Sequence, residues 1–290
     1  MRVAIAPEVR EEFALAVTTA GAELAELDEI VKGLVWTDYS RPQLLRETLD
    51  ANPQLEWVQL PFAGVDAFAD LFTRAPLFTS AKGAYSEPVA EHALALSLAL
   101  ARALPRRILA KTWGEKFAVS LYESRVLIVG AGGIAKELTK LLAPFACPVT
   151  VLGSKDIDRL HDELSLADFV VLACALTERT RGIFDSKAFA SMKPTAYLVN
   201  VARGGVVDTK ALIAALERGE IAGAGIDVTD PEPLPDGHPL WNAPNLIITP
   251  HTADTDAQVI RMFAERINQN VKAFCGSGEW VGVVDKQLGY

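Results

Sequence analysis

Cysteine is scarce in this chain of 290 residues. The three present, Cys147, Cys174 and Cys275, are an odd number, far apart, with no CxxC pair and no histidine at ligand spacing. That excludes a disulfide framework and offers no metal-site pattern, so reduced core residues in a cytoplasmic protein are expected. Long apolar runs are lacking too. The longest, ALALSLALA at 93–101, lies between Glu91-His92 and Arg102. It falls well short of the roughly 20 residues a membrane span needs and reads as a buried helix. Positive charge is in deficit, with 28 Lys and Arg against 37 Asp and Glu, a formal net charge of −9. Such a field repels phosphate backbones and anionic lipid, which argues against nucleic acid and membrane surfaces as partners. The N-terminal MRVAIAPEVREEF has four apolar residues before Pro7 and Glu8 interrupt, too few for a secretory h-region. No low-complexity stretch, charge block or repeat of 20 to 50 residues is found.

What is present is alternation. Half the residues are hydrophobic, enough for a large core. Short apolar runs (RVAIA, GLVWT, LEWVQL, LFTS) are separated by segments with helical spacing. A second series (RVLIVG, PVTVLG, FVVLAC, AYLVNV, GAGID, NLIITP) follows a long helix expected at 87–104. Near-continuous apolar strands at βαβ rhythm imply parallel sheets covered on both faces. The expected fold is therefore α/β, with two doubly wound parallel-sheet domains and a site in the cleft between them.

VLIVGAGGIAKEL, at 126–138, places Gly130, Gly132 and Ala135 at the small positions of GxGxxG/A. The first glycine permits a tight turn, the second lets a pyrophosphate approach the backbone, and the third position allows close helix–strand packing. A helix N-terminus then presents free N–H groups to phosphate. By itself the stretch fits a packing turn as well as a dinucleotide cradle. Its strand–helix–strand context favours the cradle. A site selecting NAD places a carboxylate at the end of the next strand. Here PVTVLG is followed by Ser154 and Lys155, a hydroxyl and a cation where a 2′-phosphate would lie, so NADP is expected over NAD. The alternative is a solvated Lys155, with Asp156 or Asp158 turned back to the ribose.

Further on stand AYLVNVARGGVVDTKALIAALERGEIAGAGIDVTDPEPLP and NLIITPHTADT. With these the chain resembles the D-isomer-specific 2-hydroxyacid dehydrogenases, a family that includes glyoxylate/hydroxypyruvate reductases and phosphoglycerate dehydrogenases. Residues 60–255 carry most of the likeness. The Arg of NxxRGxxVD matches Arg203, the Glu of DVxxxEP matches Glu232 and the His of TPH matches His251.

These residue types suit reduction of a 2-keto acid in their own right. Arg203 can grip a carboxylate with two parallel N–H bonds, as lysine cannot. His251 can protonate the developing alkoxide, and Glu232 on its other ring nitrogen would raise its pKa. Each has a plainer reading: Arg203 capping its strand end or pairing with Asp208, Glu232 solvated before a proline, His251 structural. The three in order at strand exits favour catalysis, because ligands of open α/β sheets bind beyond the carboxyl ends of strands.

The resemblance implies more. A Rossmann cofactor domain, residues 91–267, would be inserted into a flavodoxin-like substrate domain formed by 1–90 and 268–290. Gly133, Ile134, Cys174, Ala202 and Asp227 would join the cofactor side. The N–H groups of Ala63, Gly64 and Val65, in PFAGVD, would join Arg203 at the substrate carboxylate. A homodimer built through the long-helix region would form. Glu91 and His92 belong to a family pattern but sit on a packed helix and read as structural.

Trp36-Thr37-Asp38, where phosphoglycerate dehydrogenases usually carry Arg-Ser, makes a phosphate clamp there doubtful. Tyr85 replaces an Asn and Ala175 a Pro of the family pattern. Two other roles fit the same fold: an NAD(P)-sensing corepressor-like binding protein, and a formate dehydrogenase-like enzyme, which would carry Gln in place of Glu232.

Overall fold

The computed structural model describes residues 1–114 and 117–286. The chain divides into two compact units, Met1–Tyr85 with Thr255–Tyr290, and Ser86–Asp254. The expected boundaries at 90/91 and 267/268 both fall inside continuous helices, Ser86–Ala101 and Asp256–Phe274, so the chain passes from unit to unit at helix starts instead.

The first unit begins with β1 (Arg2–Ala6), α1 (Glu11–Thr19), β2 (Glu23–Leu24), β3 (Gly33–Trp36), α2 (Pro42–Ala51), β4 (Trp57–Gln59) and β5 (Leu77–Thr79). Its parallel sheet has the order β2-β1-β3-β4-β5, the flavodoxin-like winding. Strand β2 was not expected: two residues of mixed polarity carry no periodic signal, and it forms by pairing Arg2 and Val3 of β1 with Glu23 and Leu24. One face of the sheet is closed by a cluster that includes Leu34, Trp36, Leu45, Val58, Phe68 and Phe78. Burying each such large side chain contributes about 1.5–3 kcal/mol.

The second unit opens with α3 (Ser86–Ala101) and α4 (Leu104–Ile108) and continues through β6 (Val126–Val129), α5 (Gly133–Leu142), β7 (Val149–Leu152), α6 (Leu160–Leu166), β8 (Phe169–Leu172), α7 (Ser186–Ser191), β9 (Tyr197–Asn200), α8 (Thr209–Arg218), β10 (Gly223–Ile226) and β11 (Leu246–Ile248). Its all-parallel sheet runs β11-β10-β9-β8-β6-β7. The strand order reverses at β6, so the crevice for a ligand lies beyond the carboxyl ends of β6 and β8. Alternate residues of one strand feed opposite faces: Leu127 and Val129 join α6, α7 and α8, while Val126 and Ile128 join α3 and α5. This is why the strands read as unbroken apolar runs. The expected α/β fold of two doubly wound parallel sheets, with a Rossmann-type domain, is what the chain adopts.

The chain returns to the first unit as α9 (Asp256–Phe274). A capping box starts it, with Thr255 Oγ1 accepting from Gln258 N and the Gln258 side chain accepting from Thr255 N. Phe13 of α1 meets Phe263 edge-on, centroids 5.2 Å apart. The C-terminal strap is held by buried polar groups. Asn270 Nδ2 donates to Gln59 Oε1 at 2.6 Å and to Val281 O at 2.9 Å, and Val281 N donates back to Asn270 Oδ1 at 2.8 Å. Thr79 Oγ1 also donates to Gln59 Oε1 and accepts from Trp57 Nε1. Gln59, Thr79 and Asn270 are each fully buried, so removing one member leaves another unpaired. Asn270→Ala is expected to lower stability by about 1–3 kcal/mol, read as a lower midpoint of thermal or urea unfolding. An unchanged midpoint would mean that the network adds no net stability.

Candidate active site

Three neighbouring strands of the second unit end in loops that carry the candidate residues: Arg203 follows β9, Glu232 follows β10 and His251 follows β11. His251 Nδ1–H donates to Glu232 Oε1 at 2.6 Å. The hydrogen bond and charge of Glu232 raise the His251 pKa against burial, and the nearby Arg203 charge opposes the rise. The hydrogen bond from His251 in turn lowers the Glu232 pKa, with smaller help from Thr229 N–H and Arg203. The pairing favours an imidazolium facing a carboxylate, its ring about half exposed. Because the Arg203 charge reaches both partners, the guanidinium belongs to the same cluster.

Asp208, one of the plainer partners expected for Arg203, is engaged in its own helix. Asp208 Oδ1 caps α8, accepting from Lys210 N and Ala211 N. Arg203 is held from behind instead: Nη1 donates to Ala202 O at 2.8 Å, and Asn200 Nδ2 donates to Arg203 O at 3.1 Å while its Oδ1 accepts from Ala202 N. Gly204 brings this turn against the Glu232 loop. A Cβ at Gly204 would lie 1.9 Å from Thr229 O and 2.0 Å from Thr229 C, so only glycine permits the approach.

His251 has φ +52°, a left-handed backbone that costs energy outside glycine and persists only where surroundings enforce it. Asp227 does the enforcing. Its carbonyl accepts from His251 N at 2.8 Å. Its Oδ1 accepts from Thr249 Oγ1 and Thr252 N, and its Oδ2 from Ala253 N. Burial works to raise its pKa, and the donors at His92, Thr249 and Thr252 outweigh that and lower it. Asp227, expected on the nicotinamide side, is 2 % exposed and spends both oxygens on the His251 turn.

At the switch point, Gly130 has φ +117°, and a Cβ there would lie 2.4 Å from Ala173 O and 2.7 Å from Cys174 N. The ends of β6 and β8 are thus pressed together at a position only glycine fits. Gly132 caps α5, and a Cβ placed on it would meet nothing within 4 Å. That leaves an open approach to the first N–H groups of the helix, beside Gly133 and Ile134. Ala135 behind it is 2 % exposed. A dinucleotide pyrophosphate fits this cradle. Cys174 lines it as an inert thiol, its pKa pushed up to about 11 by burial. Ala202 is buried at the foot of the Arg203 turn. Ser154 and Lys155 are exposed just past β7. Arg179 adds a second cation, its Nη2 donating to Ser154 O at 3.4 Å. Asp156 also sits close by, Oδ2 3.8 Å from a Cβ placed on Gly153.

In the first unit the loop of Ala63, Gly64 and Val65 is anchored by the buried Tyr85, whose hydroxyl donates to Pro61 O at 2.9 Å. No protein group among the described residues accepts from the N–H of these three. Of the residues that matter to this geometry, sequence reasoning missed Asn200, Thr249 and Arg179. Asn200 and Thr249 stand inside the motifs already quoted, as the first letter of NxxRG and the residue two before His251. Arg179 carries no motif signal.

Residues 93–253 match the model of the D-isomer specific 2-hydroxyacid dehydrogenase NAD-binding domain. A glyoxylate reductase of Thermofilum pendens is 31% identical over 83% of this chain and 78% of its own. The chain belongs to the D-isomer specific 2-hydroxyacid dehydrogenase family. A glyoxylate/hydroxypyruvate reductase B of Citrobacter koseri is 34% identical over 70% of this chain and 69% of its own. A solved family member from Xanthobacter autotrophicus Py2, in complex with NADPH and MES, superposes with a TM-score of 0.84 at 27% identity, covering 100% of this chain and 99% of that one. As a D-2-hydroxyacid dehydrogenase, this protein is an NAD(P)-dependent oxidoreductase that transfers hydride between NAD(P)(H) and a 2-keto or 2-hydroxy acid. Among the described residues no helix is long and apolar enough to cross a membrane.

The raised His251 pKa fixes the direction of one outcome. With His251 as the expected proton donor, the rate of keto-acid reduction would hold at low pH and fall as pH rises through the His251 pKa. Glu232→Gln removes the main cause of the rise, and the fall in kcat should move to lower pH. An unchanged pH profile would reject the pairing.

Proposed function

We propose that this dehydrogenase is a cytoplasmic, NADPH-dependent reductase of small 2-keto acids such as glyoxylate or hydroxypyruvate, yielding the D-hydroxy acid. The observation that carries it is the 2.6 Å contact of His251 Nδ1 with Glu232 Oε1 beside the Arg203 charge. Bound nicotinamide supplies the hydride. The chain supplies the rest. Arg203 holds the substrate carboxylate through paired N–H bonds and fixes the keto carbon. His251 delivers its proton from Nε2 to the forming alkoxide, and Glu232 keeps the imidazolium charged and oriented until it does. The unengaged N–H groups of Ala63, Gly64 and Val65 are suited to the same carboxylate chemistry.

Gly130, Gly132, Gly133, Ile134, Cys174 and Ala202 would serve the cofactor, with the pyrophosphate over the α5 N-terminus, while both side-chain oxygens of Asp227 are engaged in the His251 turn. Ser154, Lys155 and Arg179 support NADP by offering a hydroxyl and two cations past β7. Asp156 is what an NAD-preferring site would use. The NADPH-bound neighbour supports the same cofactor, and the relatives named glyoxylate reductase support the substrate. A homodimer is supported by the apolar surface of residues 104–114 and 117–122, where Ile108, Leu109 and Tyr122 are exposed and Trp113 is 92 % exposed.

The test is a panel of 2-keto acids assayed with NADPH and with NADH, with the chirality of the product determined. Higher kcat/KM with NADPH and a D product are expected. Arg203→Lys should cost about 3 kcal/mol or more of transition-state stabilisation, a loss of at least about a hundredfold in kcat/KM. A preference for NADH would reject the cofactor assignment. Turnover no faster than that of His251→Ala would replace the enzyme by a cofactor-sensing binding protein. Sedimentation equilibrium decides the dimer.

A further inference from the structure

His92 takes no part in the chemistry described above, and it lies directly behind it. It sits in the second turn of α3, with Nε2 2.9 Å from Thr249 Oγ1 and 3.4 Å from Asp227 Oδ1. The hydrogen count settles its role there. The Thr249 hydroxyl has one proton, and gives it to Asp227 Oδ1 at 2.6 Å. Asp227, held ionised by its donors, can only accept. The imidazole nitrogen facing both oxygens must therefore carry the hydrogen, so His92 presents Nε2–H to them. Donors run in one direction, from His92 to Thr249 to Asp227.

Asp227 is where the turn of 249–253 is assembled. Its side chain takes Thr252 N–H at 2.9 Å and Ala253 N–H at 3.2 Å, and its carbonyl takes His251 N–H at 2.8 Å. The residue so held has the left-handed φ of +52°. Such a backbone is kept only by its surroundings. A carboxylate 2 % exposed in turn needs every donor it has.

We propose that His92 is a positioning residue, whose Nε2–H, passed through the Thr249 hydroxyl, holds Asp227 and with it the turn that presents His251 to substrate. The inference rests on the reading of His251 as proton donor only for its kinetic readout. The charged groups around His251 are Glu232 from the loop after β10, Arg203 from the turn after β9 and Asp227 at the end of β10. Only the last is reached by His92.

Two variants and one spectroscopic measurement test this. His92→Leu fills the space without a donor, and His92→Gln returns an N–H. With NADPH and a turned-over 2-keto acid, His92→Leu should lower kcat about tenfold, the low end of what loss of such a supporting partner costs. KM for the keto acid should stay within about twofold, because Arg203 is not disturbed. The alkaline fall in kcat should move to lower pH, because a loosened turn weakens the His251 contact with Glu232 that raises the His251 pKa. His92→Gln should keep kcat within about threefold of the parent.

The chain has four histidines, few enough for each imidazole to be assigned by nitrogen NMR in the intact protein. His92 should show the Nε2–H tautomer, and His251 should titrate at lower pH in His92→Leu. A Nδ1–H tautomer would overturn the proposal. So would an unshifted His251 titration in His92→Leu, or a loss in His92→Gln equal to that in His92→Leu. Should His92→Leu fail to fold, the tautomer and His92→Gln decide. Should the parent turn over no 2-keto acid, the proposed function falls, while the His251 titration still reports on His92.

Discussion

The proposed chemistry requires a proton to be kept on an imidazole that is half exposed to water and flanked by an arginine, and the contact of His251 with Glu232 favours its staying there. The carboxylate must lie within hydrogen-bond reach of Nδ1, which requires the loops after β10 and β11 to be held in register. The arginine must stand close enough to share a substrate and far enough not to discharge the imidazole. The balance recorded at His251, raised by Glu232 and partly opposed by Arg203, is the electrostatic expression of that compromise.

Much of the supporting structure follows from the demand for close loops. At Gly204 the backbone carrying Arg203 lies flat against the backbone of Thr229, and at Gly130 the end of β6 lies flat against Ala173 and Cys174. The same device serves two ends of one sheet. In the first case it joins the Arg203 turn to the loop that carries Glu232; in the second it shapes the floor of the turn before α5. Both depend on the absence of a single carbon atom.

The fold was legible because parallel strands buried on both faces leave unbroken apolar runs, and among the described residues all ten strands longer than two residues stand where such runs occur. β2 was not, since Glu23 and Leu24 form a strand only through their neighbour Arg2–Val3. The residues Arg203, Glu232 and His251 were legible from their motifs. What supports them was less so. His92 read as packing because its partner Thr249 lies 157 positions away, a distance over which one sequence shows no pattern. Arg179 was missed for the same reason, its contact with Ser154 being made across 25 positions of chain. The helix starts at Ser86 and Asp256, which set where the chain passes from one unit to the other, were displaced in the sequence reading because helix ends are the least marked part of a periodic pattern.

His251, the proposed proton donor, hangs from the outermost strand of its sheet. β11 has three residues, all half-exposed, and it is bonded along one side to β10 while β9 and β8 are enclosed on both sides. Edges of this kind open at lower free energy than the interior they border. Heating should therefore silence the catalyst while most of its backbone is still protected from solvent, so the working temperature range is bounded by fraying at one margin and not by melting of the whole.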